Sequence, residues 1–249
     1  MPLRLLMLIA FLLVNLKATS QTSQADFNYE PPGNPAGLKK LALWSTHYFV
    51  HIFKSGGNIP IVYRNGKPSG LFANTCDFCE ASLQGSAYIT DFDGNVSLVK
   101  YAKTGKRTFA DCRTCEKFSE SNKAVGNWGK TLWIKSNGFS GGLRRYKIIP
   151  FRTISVDKRV IPFGTVIYIP KAKGQTVVLP NGIKVIHDGY FFAADRGGLV
   201  KNNHIDFFTG ISSDNPFPEL ITSGKNSTFE AFIVTDKAII NSLKSAHRK

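Results

Sequence analysis

Short apolar runs separated by turn residues occupy most of the chain after residue 40. Aromatic and β-branched residues dominate these runs, which predicts strands. The runs cover residues 41–53, 59–63, 85–91, 96–102, 165–170, 177–186, 190–194 and 228–235. Asp93-Gly94 and Asn181-Gly182 predict tight hairpins. Only residues 236–247 form a clear helical pattern, with Asp236 as the N-cap and basic residues in the last turn. The pattern predicts an all-β barrel or sandwich with a short C-terminal helix.

The first twenty residues have the pattern of a secretory signal peptide. Arg4 precedes an apolar run over residues 5–16, and Ala18-Thr19-Ser20 is a small-residue cleavage site. The run is too short to span a bilayer comfortably, so we expect no transmembrane segment in the mature chain. We therefore expect export to the periplasm or the cell exterior. The polar, proline-containing residues 21–40 are interpreted as a flexible leader, and residues 41–249 as the folded domain.

Charge and composition narrow the choice of partner. The 249 residues carry a formal net charge of +15, and 43% of them are hydrophobic, which allows a sizeable core and excludes general disorder. A strongly basic protein attracts polyanions. For an exported chain without a recognition helix or a stacking motif, cell-wall polymers are a better prediction than nucleic acid.

Three aspartates are embedded in strand-like segments of the C-terminal half. They are Asp157, Asp195 and Asp206. Aspartate is depleted in strands and is costly to bury without a partner. Any one of them would be explained by the capping of a turn. Three together indicate a shared polar site.

These segments resemble the motifs of the 3D domain, a family named for its three aspartates. The similar stretches are SVDKRVIPFGT at 155–165 and AADRGGLVKNNHIDFF at 193–208, and Thr46-His47-Tyr48 resembles the first-strand signature. The 3D domain is the catalytic core of the MltA type of lytic transglycosylase. The resemblance covers that first strand and roughly residues 140–235. It implies a double-psi β-barrel, with residues 64–140 as an unexplained insertion.

The resemblance also implies an activity. It is cleavage of the β-1,4 bond between N-acetylmuramic acid and N-acetylglucosamine, with a 1,6-anhydro product. By motif position Asp206 is the catalytic acid and base, and Asp195 and Asp157 support it. The implied partners are peptidoglycan glycan strands, bound by a monomer without a catalytic cofactor. The candidate substrate-binding residues are Thr46, Tyr48, Gly197, Gly198 and Lys201. Lys158, Arg196 and Asn202 depart from the family pattern.

The chemistry requires an acid that stays protonated near neutral pH. A solvated aspartate is ionised there. Negative charge on Asp157 and Asp195, with desolvation by Phe207 and Phe208, would raise the pKa of Asp206. Arg196 beside Asp195 would have the opposite effect. After protonating the leaving oxygen, Asp206 can deprotonate the sugar's own C6 hydroxyl, so no second carboxylate is needed to activate water.

Four cysteines form two CxxC pairs in the unexplained region. Cys76, Cys79, Cys112 and Cys115 predict either two disulfides or a structural zinc site. The spacing does not give the connectivity.

Two other functions remain open from sequence. One is a non-catalytic, expansin-like barrel that binds or loosens the wall, and the other is a muramidase-type hydrolase. His187 and His204 are possible general bases, although we interpret both as surface or polar-rim residues.

Overall fold

A computed structural model describes residues 26–118, 124–139, 143 and 145–249. The predicted signal peptide, residues 1–20, lies outside the described residues. Within the described ranges, no helix combines the length and apolar character needed to cross a membrane.

The described chain is built mainly from strands. In chain order they are β1 (Lys40–Tyr48), β2 (His51–Lys54), β3 (Ile59–Val62), β4 (Pro68–Ala73), β5 (Ser86–Thr90), β6 (Val96–Thr104), β7 (Thr131–Ser136), β8 (Thr153–Val156), β9 (Val166–Tyr168), β10 (Thr176–Val178), β11 (Lys184–Ile186), β12 (Tyr190–Asp195), β13 (His204–Phe208) and β14 (Phe229–Ile233). The helices are α1 (Thr75–Gln84), α2 (Val125–Trp128) and α3 (Lys237–Ala246). The mainly-β prediction is confirmed. Both predicted hairpins are present, as β5–β6 and β10–β11.

Six strands close into a barrel in the order β1-β13-β8-β12-β9-β14, and β14 pairs back with β1. The pairs β1–β13 and β8–β12 are parallel. The remaining neighbours in the ring are antiparallel. Each parallel pair joins strands that are distant in the sequence, so the barrel brings remote segments side by side.

Alternation along each barrel strand separates an apolar interior from an outer face. Leu43, Ile154, Phe191, Ile205 and Phe207 belong to the interior cluster, and each is at most 2% exposed. Burial of a side chain of this size contributes about 1.5–3 kcal/mol. Because successive side chains point to opposite faces, the residues between these positions face outward.

A second lobe spans residues 51–136. Its four-stranded sheet has the order β2-β5-β6-β7, beside the pair β3–β4 and helix α1. Phe78, Ile89, Val99 and Trp133 are fully buried in its own core. The lobe therefore begins earlier than the predicted insertion at residue 64. The apolar run 41–53, interpreted as one strand, divides into β1 and β2, and the second part pairs with β5.

Helix α1 contradicts the prediction of a single C-terminal helix. Asn74 is its N-cap and accepts a hydrogen bond from the backbone amide of Asp77, and Gly85 ends it at a φ of 80°. Capping residues of this kind are a recognisable sequence feature. The CxxC spacing of Cys76 and Cys79 coincides with one turn of this helix, so the same residues carry both patterns. The predicted C-terminal helix is present as α3, with Asp236 as its N-cap.

The four cysteines form two disulfides, Cys76–Cys115 and Cys79–Cys112. Both join α1 to the segment that follows β6. Of the two predicted states of the cysteines, disulfides and a zinc site, the structure therefore has the disulfides. A four-thiolate zinc site does not fit these residues, because their sulfur atoms are bonded to each other.

The segment that precedes β1 is packed against the barrel, although it was expected to be a flexible leader. Arg152 is fully buried, and its guanidinium binds the Asp188 carboxylate and the carbonyl oxygen of Asp26. The same guanidinium lies 4.0 Å from the ring centroid of Phe27. The buried Arg152 guanidinium thus holds the start of the described chain, at Asp26 and Phe27, against the barrel.

We expect Asp188→Asn to destabilise the protein by about 3–5 kcal/mol, because it leaves the Arg152 guanidinium buried without a counter-charge. Urea unfolding measures the change. Glu230→Gln is the matched control, since it removes the Lys40–Glu230 ion pair, whose side chains are 60% and 62% exposed. That control should cost at most about 1 kcal/mol. Equal effects of the two substitutions would contradict this description of Arg152.

Candidate active site

A row of polar side chains crosses four neighbouring strands on the outer face of the barrel. Thr46 on β1 is in register with Asp206 on β13, and Asp206 is in register with Ser155 on β8. Ser155 is in turn paired with Asp195 on β12. Neighbouring strands lie only about 4.8 Å apart. The barrel therefore assembles one compact site from four remote segments.

A β-bulge brings Asp195 into this row. Phe191 and Ala193 point into the barrel core, so simple alternation would also turn Asp195 inward. The register shifts between Ala193 and Asp195, as a bulge does when it re-aims a side chain. On the outer face, Asp195 Oδ2 accepts a hydrogen bond of 2.9 Å from the Tyr48 hydroxyl.

Asp206 is partly exposed and titrates unusually. Desolvation by burial raises the pKa of its carboxyl to about 7, and the negative charge of Asp195 adds to the rise. The hydroxyl of Thr46 donates to Asp206 Oδ1 at 2.8 Å and opposes the rise, because it stabilises the charged form. The carboxyl is thus poised between acid and base near neutral pH. Burial, rather than the neighbouring charges, is the largest cause.

Asp157 has different partners from the other two aspartates. Its carboxylate accepts hydrogen bonds from the Arg159 side chain, at 2.6 Å for Nη2, and from the backbone amide of Asn202 at 3.0 Å. The Arg159 hydrogen bonds hold its pKa well below the usual range. Asp157 is not among the groups that shift the pKa of Asp206. The expectation that it would help to raise that pKa was wrong, and instead it ties β8 to the loop before β13.

The loop between β12 and β13 carries three of the predicted substrate-binding residues. A Cβ on Gly197 would meet Val200 Cγ2 at 2.6 Å, so the glycine is needed for packing within the loop. A Cβ on Gly198 would meet nothing within 4 Å, and Lys201 is exposed. Asn202 has a φ of 56°, a conformation that asparagine tolerates better than most residues. This explains how it stands at a position where the family pattern has glycine.

Arg196 does not act on Asp206 as expected. Its side chain is exposed, and it is not among the groups that shift the pKa of Asp206. The pKa of Asp206 is therefore raised without a contribution from Arg196.

The two histidines are buried, and their interpretation as surface residues was wrong. His187 lies in the barrel core, stacked on Phe191, and burial lowers its pKa to about 3. His204 is 6% exposed, and its Nε2 lies 2.8 Å from Thr46 Oγ1. Burial also lowers its pKa, so the ring is neutral at pH 7. Alternation along β13 places positions 204 and 206 on one face, and this feature of the sequence could have linked His204 to the site.

The second lobe approaches the row from outside the barrel. Phe208 packs in one cluster with Val50, Leu98 and Ile148, which joins β13 to β6. Burial lowers the pKa of Lys100, which also lies on β6, and the charge of Asp195 opposes that shift. An open cleft of about 610 Å³ lies farther along, lined by residues that include Ile52, Glu80 and Ile211 but none of the row. The polar row is therefore not part of the lining of this cleft.

Residues 152–216 match the model of the 3D domain family. The protein contains a 3D domain. The match includes all three aspartates, whereas Thr46 and Tyr48 lie far upstream of it in β1. The hydrogen bonds from Thr46 to Asp206 and from Tyr48 to Asp195 therefore complete the 3D domain from outside its matched segment.

Solved structures are similar to this 3D-domain protein at low sequence identity. E. coli MltA with bound chitohexaose is 16% identical and covers 77% of this chain and 71% of its own, with a TM-score of 0.52. The membrane-bound lytic murein transglycosylase of Agrobacterium tumefaciens is 14% identical and covers 80% and 76%, with a TM-score of 0.49. LtgG of Burkholderia pseudomallei is 16% identical and covers 78% and 71%, with a TM-score of 0.38. A search of curated protein sequences found no match. The comparison with E. coli MltA shows the fold alone.

We expect the Asp206 carboxyl to titrate near pH 7 in the folded protein, because burial is the main cause of its raised pKa. Asp195→Asn removes a negative charge and should lower that pKa, whereas Thr46→Val removes a stabilising hydrogen bond and should raise it. Carbon-13 NMR titration of the carboxyl measures both. Asp157→Asn is the control and should leave the pKa unchanged. An ordinary acidic pKa for Asp206 in the unmodified protein would contradict this account.

Proposed function

We propose that the protein is an exported peptidoglycan lytic transglycosylase. It would cleave the β-1,4 bond between N-acetylmuramic acid and N-acetylglucosamine and leave a 1,6-anhydro end. The observation that carries the proposal is the single carboxyl of Asp206, partly exposed on the barrel surface with a pKa raised to about 7. A group with this pKa can donate a proton and take one back at neutral pH.

In the first step Asp206 acts as the general acid. Its proton passes to the glycosidic oxygen while the bond from that oxygen to C1 of the muramyl residue breaks. The departing N-acetylglucosamine keeps the proton as a hydroxyl. The carboxylate that forms is stabilised by the hydrogen bond from Thr46. We propose that the negative charge of Asp195, held by Tyr48, stabilises the oxocarbenium-like centre.

In the second step Asp206 acts as the general base. The carboxylate removes the proton from the C6 hydroxyl of the same muramyl residue. Its O6 then bonds to C1 and closes the 1,6-anhydro ring. Asp206 is protonated again at the end of the cycle. Because no water attacks C1, one titrating carboxyl is sufficient, which agrees with Asp157 being occupied by Arg159 and Asn202.

The relatives support this choice of substrate. E. coli MltA shares the fold and has been crystallised with chitohexaose, a β-1,4-linked glycan. We propose that the glycan of this protein lies along the polar row and against the loop carrying Gly198 and Lys201. In this arrangement Thr46 and Tyr48 hold the carboxylates. The two parallel strand pairs support a double-psi connection of the barrel.

Two features support action at the cell wall. The signal-like residues 1–20 favour export, and the two disulfides suit an oxidising compartment. The net charge of +15 suits an anionic wall polymer.

Asp206→Asn should reduce the release of glycan fragments by about a hundredfold to ten-thousandfold, the usual contribution of a general acid–base group. Residues 21–249 are incubated with purified peptidoglycan, and the soluble products are measured by mass spectrometry. Asp214→Asn, which removes an exposed carboxylate, is the control and should retain full activity. Full activity of the Asp206 variant would disprove the assignment of the acid.

The same products separate the alternative functions. Anhydro-muropeptides support the transglycosylase, and reducing muramyl ends indicate a muramidase. Binding to sedimented peptidoglycan without any release indicates an expansin-like wall-binding protein.

We expect kcat/KM to fall as the pH rises through about 7, because the acid form of Asp206 is lost there. The sign follows from its raised pKa, since the protonated form is the one populated below pH 7. Initial rates of anhydro-muropeptide release over a pH series measure this fall, which is the alkaline limb of the pH–rate profile. The limb should move to lower pH in Asp195→Asn. A rate that keeps rising well above pH 7 would contradict a proton-donating role for Asp206.

A further inference from the structure

Three groups form a continuous hydrogen-bonded chain across β1 and β13. His204 Nε2 and Asp206 Oδ1 each lie 2.8 Å from Thr46 Oγ1. A threonine hydroxyl has a single hydrogen to donate. When that hydrogen goes to Asp206, the hydroxyl can only accept from His204. The imidazole must then carry its proton on Nε2.

We propose that His204 is a positioning residue that directs the Thr46 hydroxyl toward Asp206. With a hydrogen on Nε2, the ring fills the accepting position of Thr46 Oγ1, and the hydroxyl hydrogen points at the carboxylate. The opposite tautomer would present a lone pair to Thr46 and draw that hydrogen away from Asp206. The tautomer of His204 therefore selects which neighbour receives the hydrogen bond.

The surroundings of His204 hold the ring in this orientation. The imidazole stacks on Trp44 with a centroid separation of 3.7 Å and an interplanar angle of 4°. Its Nδ1 is buried and has no hydrogen-bond partner in the described part of the chain. The backbone of Leu199 interacts with the imidazole and opposes the lowering of its pKa by burial. Thr46 is therefore the ring's hydrogen-bond partner of ordinary geometry among the described residues.

This role rests on the proposed function and deepens it. With the Thr46 hydrogen committed to Oδ1, the proton exchanged with the sugar is carried by Oδ2 of Asp206. The fixed hydroxyl stabilises the carboxylate that exists between the acid and base steps. It needs no reorientation as the proton leaves and returns, which is the benefit of a preorganised donor. Tyr48 and Asp195 interact electrostatically with Asp206, and Lys225 interacts with His204. Lys100 interacts with Asp195.

Nitrogen-15 NMR of histidine-labelled protein tests the tautomer without any assay of activity. We expect His204 to carry its proton on Nε2 at a pH above the titration of Asp206. A proton on Nδ1 under these conditions would overturn the proposal.

Substitutions test the effect on Asp206. His204→Leu leaves the Thr46 hydroxyl undirected, so the alkaline limb of the rate should move up by as much as about one pH unit. We expect kcat to fall with little change in KM. His204→Gln offers an amide donor at a similar position and should largely restore the limb. In a Thr46→Val background, His204→Leu should cause no further shift, because the group that it directs is gone.

A structural role alone would give a different result. His187→Leu is the control, since it also removes a buried histidine but one in the barrel core. It should lower the thermal midpoint and leave the alkaline limb in place. An unmoved limb in His204→Leu would overturn the proposal, and if that variant does not fold, His204→Gln and the tautomer measurement still decide.

The proposal can fail separately from the proposed function. If the unmodified protein releases no anhydro-muropeptides, the transglycosylase assignment fails. The carboxyl titration of Asp206 in the same variants, followed by NMR, then replaces the pH–rate profile. A titration that is unchanged by His204→Leu rejects the positioning role, and an upward shift supports it.

Discussion

The parallel pairing of β1 with β13 is the contact on which the site depends. It sets Thr46 beside Asp206, although the two residues are 160 positions apart in the chain. A shift of one residue in this register would turn Asp206 into the apolar barrel interior, because side chains alternate between the two faces. Packing of Leu43, Ile205 and Phe207 inside the barrel resists that shift. The hydrophobic core therefore fixes the geometry of the polar row on the opposite face.

Opposing interactions set the pKa of Asp206. Burial and the charge of Asp195 favour the protonated form of Asp206, whereas the Thr46 hydrogen bond favours the carboxylate. Burial without that hydrogen bond would leave a poor acid, and solvent exposure would leave an anion at all physiological pH values. The bulge in β12 contributes to this balance, since it brings Asp195 to the outer face, where Tyr48 holds it.

Sequence patterns predicted the parts of this protein that depend on local order. Hairpins at Asp93-Gly94 and Asn181-Gly182 and the helix capped by Asp236 follow from nearby residues alone. The division of residues 41–53 into strands of two different lobes does not, because each half is equally strand-like and only distant pairing separates them. The same limit hid the contact of His204 with Thr46 and the binding of Arg152 to the segment before β1. Each of these contacts joins residues that are far apart in the chain, and no local sequence pattern predicts that they meet.

The separate position of Asp157 changes what the three-aspartate motif means here. The resemblance implies that Asp195 and Asp157 both support the catalytic Asp206. Asp157, however, binds Arg159 and the amide of Asn202, and through them it fixes the loop that leads into β13. A barrel without activity would need that contact as much as an active one. The feature that points to catalysis is instead the partly exposed, largely desolvated carboxyl of Asp206, because a binding surface gains nothing from an acid that holds its proton near neutral pH.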